Sequence, residues 1–298
     1  MGLFHGLCAF PLTLTPTDAA GRVHVEALCG LVERIHGAGA DSIGLLGSTG
    51  AYAYLSRAER RRAVEAAAGC VGGETPIVVG VGALRTDEAR ALARDAEAAG
   101  AAGLLLAPVS YAPLTAEEVY QHFAAVTQAS GLPLCIYNNP STTGFTFGEG
   151  LLARLARVAN VAAVKMPLPA DSDIPGELAR LRAGTPGGFA VGYSGDWGAA
   201  DALLAGADAW YSVAAGLLPG PVLELARAAR AGDAARARRL DALFRPLWAL
   251  FKEFGSFRVV YAAADVLGLC RAEPPRPVLP LPPAERRRVE DALHGLAV

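Results

Sequence analysis

Apolar positions along the chain fall into segments of two alternating kinds. Three stretches repeat one phrase: "GAGADSIGLLGS" (37–48), "AAGAAGLLLAP" (98–108) and "LAGADAWYSV" (204–213). In each, an Ala-rich helical run stops at a glycine, the residue that most readily takes the left-handed conformation closing a helix, and a short β-prone apolar run follows. Further apolar runs stand between these copies: "PIVVGVG" (76–82), "LPLCIYNNP" (132–140), "VAAVKMP" (161–167) and "GFAVGYSGD" (188–196), each flanked by helix-like segments. With "GLCAFPL" (6–12) at the start, the pattern predicts eight strands. They are almost continuously apolar rather than alternating, as expected of a parallel sheet covered on both faces. Eight strands, each followed by a helix, within about 215 residues predict an α/β fold, a (β/α)8 TIM barrel. A doubly wound open sheet is the alternative.

After residue 217 the strand pattern stops and helical patterns take over: "PVLELARAARAG", "DAARARRLDALFRPLWALFKEF", "SFRVVYAAADVLGL" and "PAERRRVEDALHGLAV". The expected organisation is therefore a barrel over 1–216 that carries the active site, and a segment over 217–298 that supplies the last barrel helix and a C-terminal helical extension. The proline-rich "EPPRPVLPLPP" (273–283) reads as a stiff loop between two helices rather than as a polyproline ligand.

Composition narrows the partners. With 52% hydrophobic residues in 298, the chain can bury a large core. The net charge is −2, and the arginine runs "RAERRR" (57–62) and "RARRL" (236–240) lie on helical patterns with Ala and Glu, so they read as solvated helix faces and not as a nucleic-acid surface. No run of about 18 apolar residues could span a membrane, and the N-terminus lacks the basic segment of a signal peptide. Residue 6 is Gly, which leaves the opening Met-Gly without the Ser or Thr of a myristoylation signal. Five cysteines (8, 29, 70, 135, 270) are scattered and without close pairing, which argues against a disulfide framework or zinc site and for a reducing, cytoplasmic setting. Cys8 and Cys135 read as small core hydrophobes.

In a barrel of this kind the chemistry sits at the C-terminal ends of the strands. The second strand delivers Gly47-Ser48-Thr49-Gly50 there, the fourth leads to Ser110 and Tyr111, the fifth ends in Tyr137-Asn138-Asn139, the sixth in Lys165, and the seventh in Tyr193-Ser194-Gly195-Asp196. No pair of carboxylates appears, and only Asp196 could serve as a metal ligand, since the five histidines share no ligand spacing. A metal site is not expected. The lone "GVG" (80–82) is too weak a signal for a dinucleotide, and "GYSGDWG" (192–198) offers no basic residue to a phosphate. No cofactor is expected either.

What remains is a lysine, tyrosines and hydroxyls. Lysine occurs only at 165 and 252 among 27 Lys and Arg residues. Lys252 follows an amphipathic helical pattern beside Glu253 and reads as surface. Lys165 lies inside an apolar run, where either its ammonium snorkels to water or its amine is buried and serves the chemistry that arginine cannot, formation of a Schiff base. Tyr137 is the candidate proton-moving phenol. Ser48 and Thr49, with backbone N–H groups of the Gly47–Gly50 loop, can hold the carboxylate of a 2-oxo acid.

"GSTG" after the second strand, "IYNNPSTTG" after the fifth, a lysine 28 residues beyond the tyrosine and "GYSGD" after the seventh strand resemble the dihydrodipicolinate synthase/N-acetylneuraminate lyase superfamily of class I, pyruvate-dependent aldolases. The resemblance covers about residues 5–290, including the helical tail. It implies Lys165 as Schiff-base former, Tyr137 as proton-transferring phenol, Ser48 and Thr49 as the pair that holds pyruvate and relays the proton, and Gly195 in a substrate-lining turn. Gly47, Gly50, Asn139, Thr142 and Tyr211 complete the expected substrate-binding set. It also implies a homo-oligomer, dimer or tetramer, in which a neighbouring subunit offers a tyrosine from the loop after the fourth strand; Tyr111 is favoured over Ser110 for that role.

Three departures from the family pattern bear on substrate. Ala51 stands where G-T/S-T-G-E has a carboxylate, Thr142 where Y-N-x-P-x-R-T-G has an arginine, and Met166-Pro167 where an acidic residue commonly follows the lysine. Together they point away from dihydrodipicolinate synthesis and toward an aldolase or dehydratase for a neutral-tailed 2-oxo-3-deoxy sugar acid, whose hydroxyls Asn138, Asn139 and Thr142 could meet. Dihydrodipicolinate synthesis itself, sialic acid cleavage, a phosphosugar lysine aldolase and a non-catalytic paralogue are the alternatives.

Overall fold

Every apolar phrase of the sequence contains a strand. The structure, a computed structural model, describes residues 3–4, 8–9, 17–18 and 20–296. In chain order the elements are β1 (Cys8–Ala9), α1 (Val25–Ala38), β2 (Ile43–Leu45), α2 (Arg57–Val71), β3 (Ile77–Gly80), α3 (Thr86–Ala98), β4 (Gly103–Leu106), α4 (Ala116–Thr127), β5 (Leu134–Tyr137), α5 (Pro140–Thr143), α6 (Glu149–Leu155), β6 (Val161–Met166), α7 (Ile174–Gly184), β7 (Ala190–Tyr193), α8 (Ala199–Leu204) and β8 (Ala209–Trp210). Four helices follow: α9 (Pro219–Arg230), α10 (Ala234–Phe254), α11 (Ser256–Val266) and α12 (Pro283–His294). The helix-stop glycines behave as their phrases predict: Gly39, Gly100 and Gly206 have φ of 81°, 94° and 94°.

All strand pairs are parallel, and the sheet runs β1-β8-β7-β6-β5-β4-β3-β2. From β2 to β8 each strand pairs with its successor in the chain. The order never reverses, which removes the doubly wound alternative, whose sheet switches direction at its centre. Among the described residues β1 and β2 do not pair; residues 10–16, part of the first predicted strand among them, lie outside the description.

The two faces of the sheet bury different sets of side chains. Val164 and Met166, Val191 and Tyr193, and Trp210 point outward into the core shared with the helices. The alternate positions Val78, Leu105, Cys135, Tyr137, Ala163, Ala190, Ala209 and Tyr211 pack with Phe4 into a second cluster that contains no helix residue. A face covered by no helix stays buried only if the sheet curls around it. This curl turns the strand ends toward one another and gives them a common centre.

Behind the sheet, α9 packs on α1 and β1, and α10 packs on α8, α9, α11 and α12, forming the helical tail the sequence predicts. The proline-rich segment connects α11 to α12. No helix among the described residues is long and apolar enough to cross a membrane.

Two expectations fail here. Cys29 and Cys70, read as unpaired, are joined by a disulfide between α1 and α2 with Cα atoms 5.8 Å apart. Their 41-residue separation carries no pairing signal in the sequence; the packing of the two helices brings them together. Cys135 is buried in the core as expected, whereas the side chain of Cys8 lies outside the described residues. The run at 57–62 is also not uniformly a solvated face. Arg60 is 5% exposed, because position 60 shares its side of α2 with the buried Ala63, Val64 and Ala67. Its guanidinium donates to the carbonyls of Gly80 (2.8 Å) and Gly82 (3.1 Å) and lies over the ring of Tyr52.

Candidate active site

The strand period of two decides where Lys165 points. With Val164 and Met166 in the outer core, Ala163 and Lys165 must face inward, and Lys165 is 1% exposed. The snorkelling alternative is thereby removed. Register places Lys165 between Tyr137 on β5 and Gly192 on β7. Its Nζ lies 4.0 Å from the centroid of the Tyr137 ring and 5.7 Å from that of Tyr211.

Gly192 explains how a second aromatic ring fits. A Cβ at position 192 would stand 2.6 Å from the Tyr211 ring and 2.8 Å from the carbonyl oxygen of Ala209. Gly192→Ala is therefore expected to displace Tyr211 and to lower stability by about 1–3 kcal/mol, the usual cost of overpacking a core. Urea unfolding measures it; wild-type stability in this variant would mean the strand has spare room.

The phenol of Tyr137 accepts an N–H bond from Asn139 Nδ2 (2.9 Å) and lies 3.2 Å from Ser48 Oγ. Ser48 and Thr49 belong to a tight loop after β2 in which Leu46 and Ala51 both have φ of 56°, a left-handed conformation that costs an L-residue about 1–2 kcal/mol. Gly80 makes the loop possible, since a Cβ there would come within 1.8 Å of the Leu46 carbonyl oxygen. Gly50 does the same from within, where a Cβ would meet Leu46 N at 2.9 Å; its N–H bonds to Gly47 O. Thr49 is 2% exposed, yet its Oγ1 has no partner among the described residues, and the same holds for Oδ1 of the buried Asn138. Buried polar atoms nearly always have partners, so the unsatisfied Thr49 Oγ1, next in the chain to the Ser48 that meets the Tyr137 phenol, is a mark of ligand binding; Asn138 lies on the outward side with Met166.

Beyond β7, Gly195 turns the chain with φ of 90°. The turn is anchored to the lysine strand, for Ser194 donates to the Met166 carbonyl from its N (2.7 Å) and its Oγ (3.0 Å). Met166 itself faces outward and accepts from Asn138 Nδ2 through its sulfur.

The remaining predicted residues are not gathered around Lys165. Tyr111 is 99% exposed, and Ser110 turns its hydroxyl to the Ala112 carbonyl. Thr142 is exposed on α5 and donates to the Asn139 carbonyl. Three neighbours escaped the reading of the sequence. Tyr52 adjoins Tyr137, and burial together with that second phenol pushes its pKa up to about 12. Arg60 lies beside Tyr52, and burial lowers its pKa to about 10. Asp196, weighed only as a metal ligand, is buried and accepts from the Trp210 indole (2.8 Å). The helical spacing 60/63/64/67 could have flagged Arg60, and Asp196 stands as the last residue of "GYSGD"; nothing local flags Tyr52.

A buried amine flanked by a phenol and hydroxyls at the strand ends of a curled parallel sheet is the constellation of a lysine-dependent carbon–carbon lyase of the class I aldolase type. The model of the Dihydrodipicolinate synthetase family matches residues 4–296, and the chain belongs to that family. Among curated relatives, 4-hydroxy-tetrahydrodipicolinate synthase of Neisseria meningitidis serogroup B is 33% identical over 282 residues, covering 95% of this chain and 96% of the relative. Among solved structures, dihydrodipicolinate synthase from Agrobacterium tumefaciens str. C58 superposes with a TM-score of 0.97 at 64% identity, covering 99% of both chains. The chloride-inhibited dihydrodipicolinate synthase from Acinetobacter baumannii, complexed with pyruvate, superposes with a TM-score of 0.88 at 28% identity over 97% of this chain and 99% of that one.

Proposed function

We propose that the chain is a Schiff-base-forming lyase acting on a 2-oxo acid, with a neutral-tailed 2-oxo-3-deoxy sugar acid as the substrate cleaved or dehydrated. The observation that carries the reading is the Lys165 amine, buried between two aromatic rings and beside the Tyr137 phenol. The amine adds to the 2-oxo carbon and water leaves, giving an iminium. In the aldol cleavage, the substrate hydroxyl β to that carbon gives its proton toward Tyr137 as the adjacent C–C bond breaks. The bonding pair flows into the iminium, which becomes an enamine. Protonation of the enamine and hydrolysis release pyruvate and free the amine. In a dehydration, the C–H bond on the carbon between the imine and the hydroxyl breaks instead, its pair flowing into the iminium to give the enamine. The enamine then expels the β-hydroxyl, which takes up the released proton and leaves as water, and hydrolysis of the unsaturated iminium frees the amine. The iminium is itself the electron sink, so the reaction calls for no cofactor.

Ser48 and Thr49, with the N–H groups of their glycine loop, hold the carboxylate; the Thr49 Oγ1, without a partner among the described residues, supports this. The Gly195 turn, Asn139 and Tyr211 line the substrate. Tyr111, a fully exposed phenol after β4, serves a second copy of the chain, which makes the working form a homo-oligomer. In this reading the curled sheet closes as a (β/α)8 barrel over 1–216, with 217–298 as its last helix and extension.

Dihydrodipicolinate synthesis is the second reading, favoured by the names of the relatives. It calls for a cation to hold the distal carboxylate of aspartate semialdehyde, since an unpaired buried charge costs several kcal/mol. Thr142 offers a hydroxyl in the arginine's place, and Arg85, the nearest candidate after β3, already donates from Nε and Nη2 to both oxygens of Asp87. A neutral hydroxylated tail meets no such penalty. Two measurements test the proposal. Borohydride with pyruvate should leave a pyruvate-sized adduct on Lys165. Assayed side by side, a neutral-tailed 2-oxo-3-deoxy sugar acid should exceed aspartate semialdehyde plus pyruvate by at least about 10²-fold in kcat/KM, roughly 2.7 kcal/mol. A reversed preference overturns the substrate assignment and makes the second reading the leading one.

A further inference from the structure

We infer that Asp196 is a positioning residue whose carboxylate locks Tyr211 and the Gly195 turn in place around the Lys165 amine. The inference rests on the reading of Lys165 as the imine-forming residue.

Asp196 is 2% exposed and stands at the junction of two segments that the proposed chemistry uses. Its Oδ1 accepts from Trp210 Nε1 at 2.8 Å and from the backbone N of Val213 at 3.3 Å, while Oδ2 accepts from the backbone N of Ala214 at 2.8 Å. The Ser212 side chain adds a further hydrogen bond, and its Oγ in turn accepts from Ala215 N at 3.0 Å. The donors to Asp196 all lie in the five residues that begin with Trp210, and they enclose Tyr211. Because β8 and its continuation alternate faces, holding Trp210 and Ser212 outward forces the side chain between them inward. That side chain is the Tyr211 ring facing Lys165.

The other end of the clamp is equally direct. Gly195 precedes Asp196 in the chain, and Ser194 is bonded to the Met166 carbonyl, one residue beyond Lys165. One carboxylate thus ties the ends of β7 and β8 together, and through Ser194 the end of β6. The carboxylate suits the place because it only accepts, and several converging N–H and O–H donors offset part of its desolvation. An asparagine would aim an N–H group at one of those donors. The contribution to the reaction is indirect, since Asp196 touches Tyr211's neighbours and not the reacting atoms.

The test uses the full-length chain with three variants: Asp196→Asn, Tyr211→Leu and the double variant. Asp196→Asn is expected to trap the pyruvate imine at saturating pyruvate as fully as the wild type, while kcat falls about 10–10²-fold, the scale of a misplaced site group. The double variant should lose no more than about the larger of the two single losses, because both changes disable the same ring. Should Asp196→Asn fail to fold, Trp210→Phe removes a single donor and keeps an outward aromatic ring. It should lower kcat about 3–10-fold with the trap intact, a fraction of the loss expected from the full clamp. Wild-type kcat/KM in the folded variants, or losses that multiply in the double variant, overturn the inference. An absent adduct in the wild type removes the Lys165 reading and this one with it; an intact adduct with multiplying losses removes this one alone.

Discussion

Lys165→Arg is expected to form no adduct with pyruvate and borohydride and to lose turnover by at least about 10⁴-fold, the scale on which removal of a covalent nucleophile acts. Arginine keeps the charge but not the chemistry, since its guanidinium does not deprotonate at any workable pH. It is also the larger side chain in a place that is 1% exposed, so part of any loss could come from packing. Lys165→Met separates the two effects. Its unbranched stem fills the same volume between the Tyr137 and Tyr211 rings, and its thermal unfolding should match the wild type while the adduct stays absent. Mass spectrometry locates the label. An adduct on Lys252, which is exposed on α10, would overturn the Schiff-base assignment.

Tyr137→Phe is expected to keep the imine and to lose about 10³-fold in kcat, within the range of a general acid–base group. The substitution isolates the hydroxyl. The phenyl ring still faces Nζ from 4.0 Å, so the surroundings of the amine persist. What disappears is the oxygen that accepts from Asn139 and lies 3.2 Å from Ser48. Single-turnover trapping measured beside steady-state turnover reads the two steps separately. Undiminished kcat would remove Tyr137 from proton transfer, and loss of trapping would move its role back to imine formation.

Much of this site was legible in the chain. Lysine is rare where arginine serves for every other cation, and the one inside an apolar run is the one the structure buries. Tyr137 and the Ser48-Thr49 loop were legible for a related reason: each stands at the end of a predicted strand, and in a parallel barrel all strand ends share one face. The strand positions followed from apolar runs bounded by glycine stops, which are local features of a few residues each.

Arg60 marks where this reasoning needed a longer reach. Its neighbours in "RAERRR" are solvated, and only the side of α2 it shares with Ala63, Val64 and Ala67 turns it inward. Cys29 and Cys70 mark a harder boundary, because no spacing rule covers two helices that meet across 41 residues.

The sequence by itself determined the periodicities: which segments are strands, which helices close on glycine, and which scarce residue types stand at strand ends. These depend on interactions within a turn or a pleat, so a short window contains them. The tertiary structure alone decided what converges. Ser48 meets Tyr137 across 89 residues, and Asp196 gathers donors from the end of the next strand. Tyr111 and Thr142 stay at the surface of the single chain although their motifs stand beside the others in the sequence. Convergence of this kind follows from how the sheet curls and how its register aligns, a property of many distant contacts at once that no local pattern encodes.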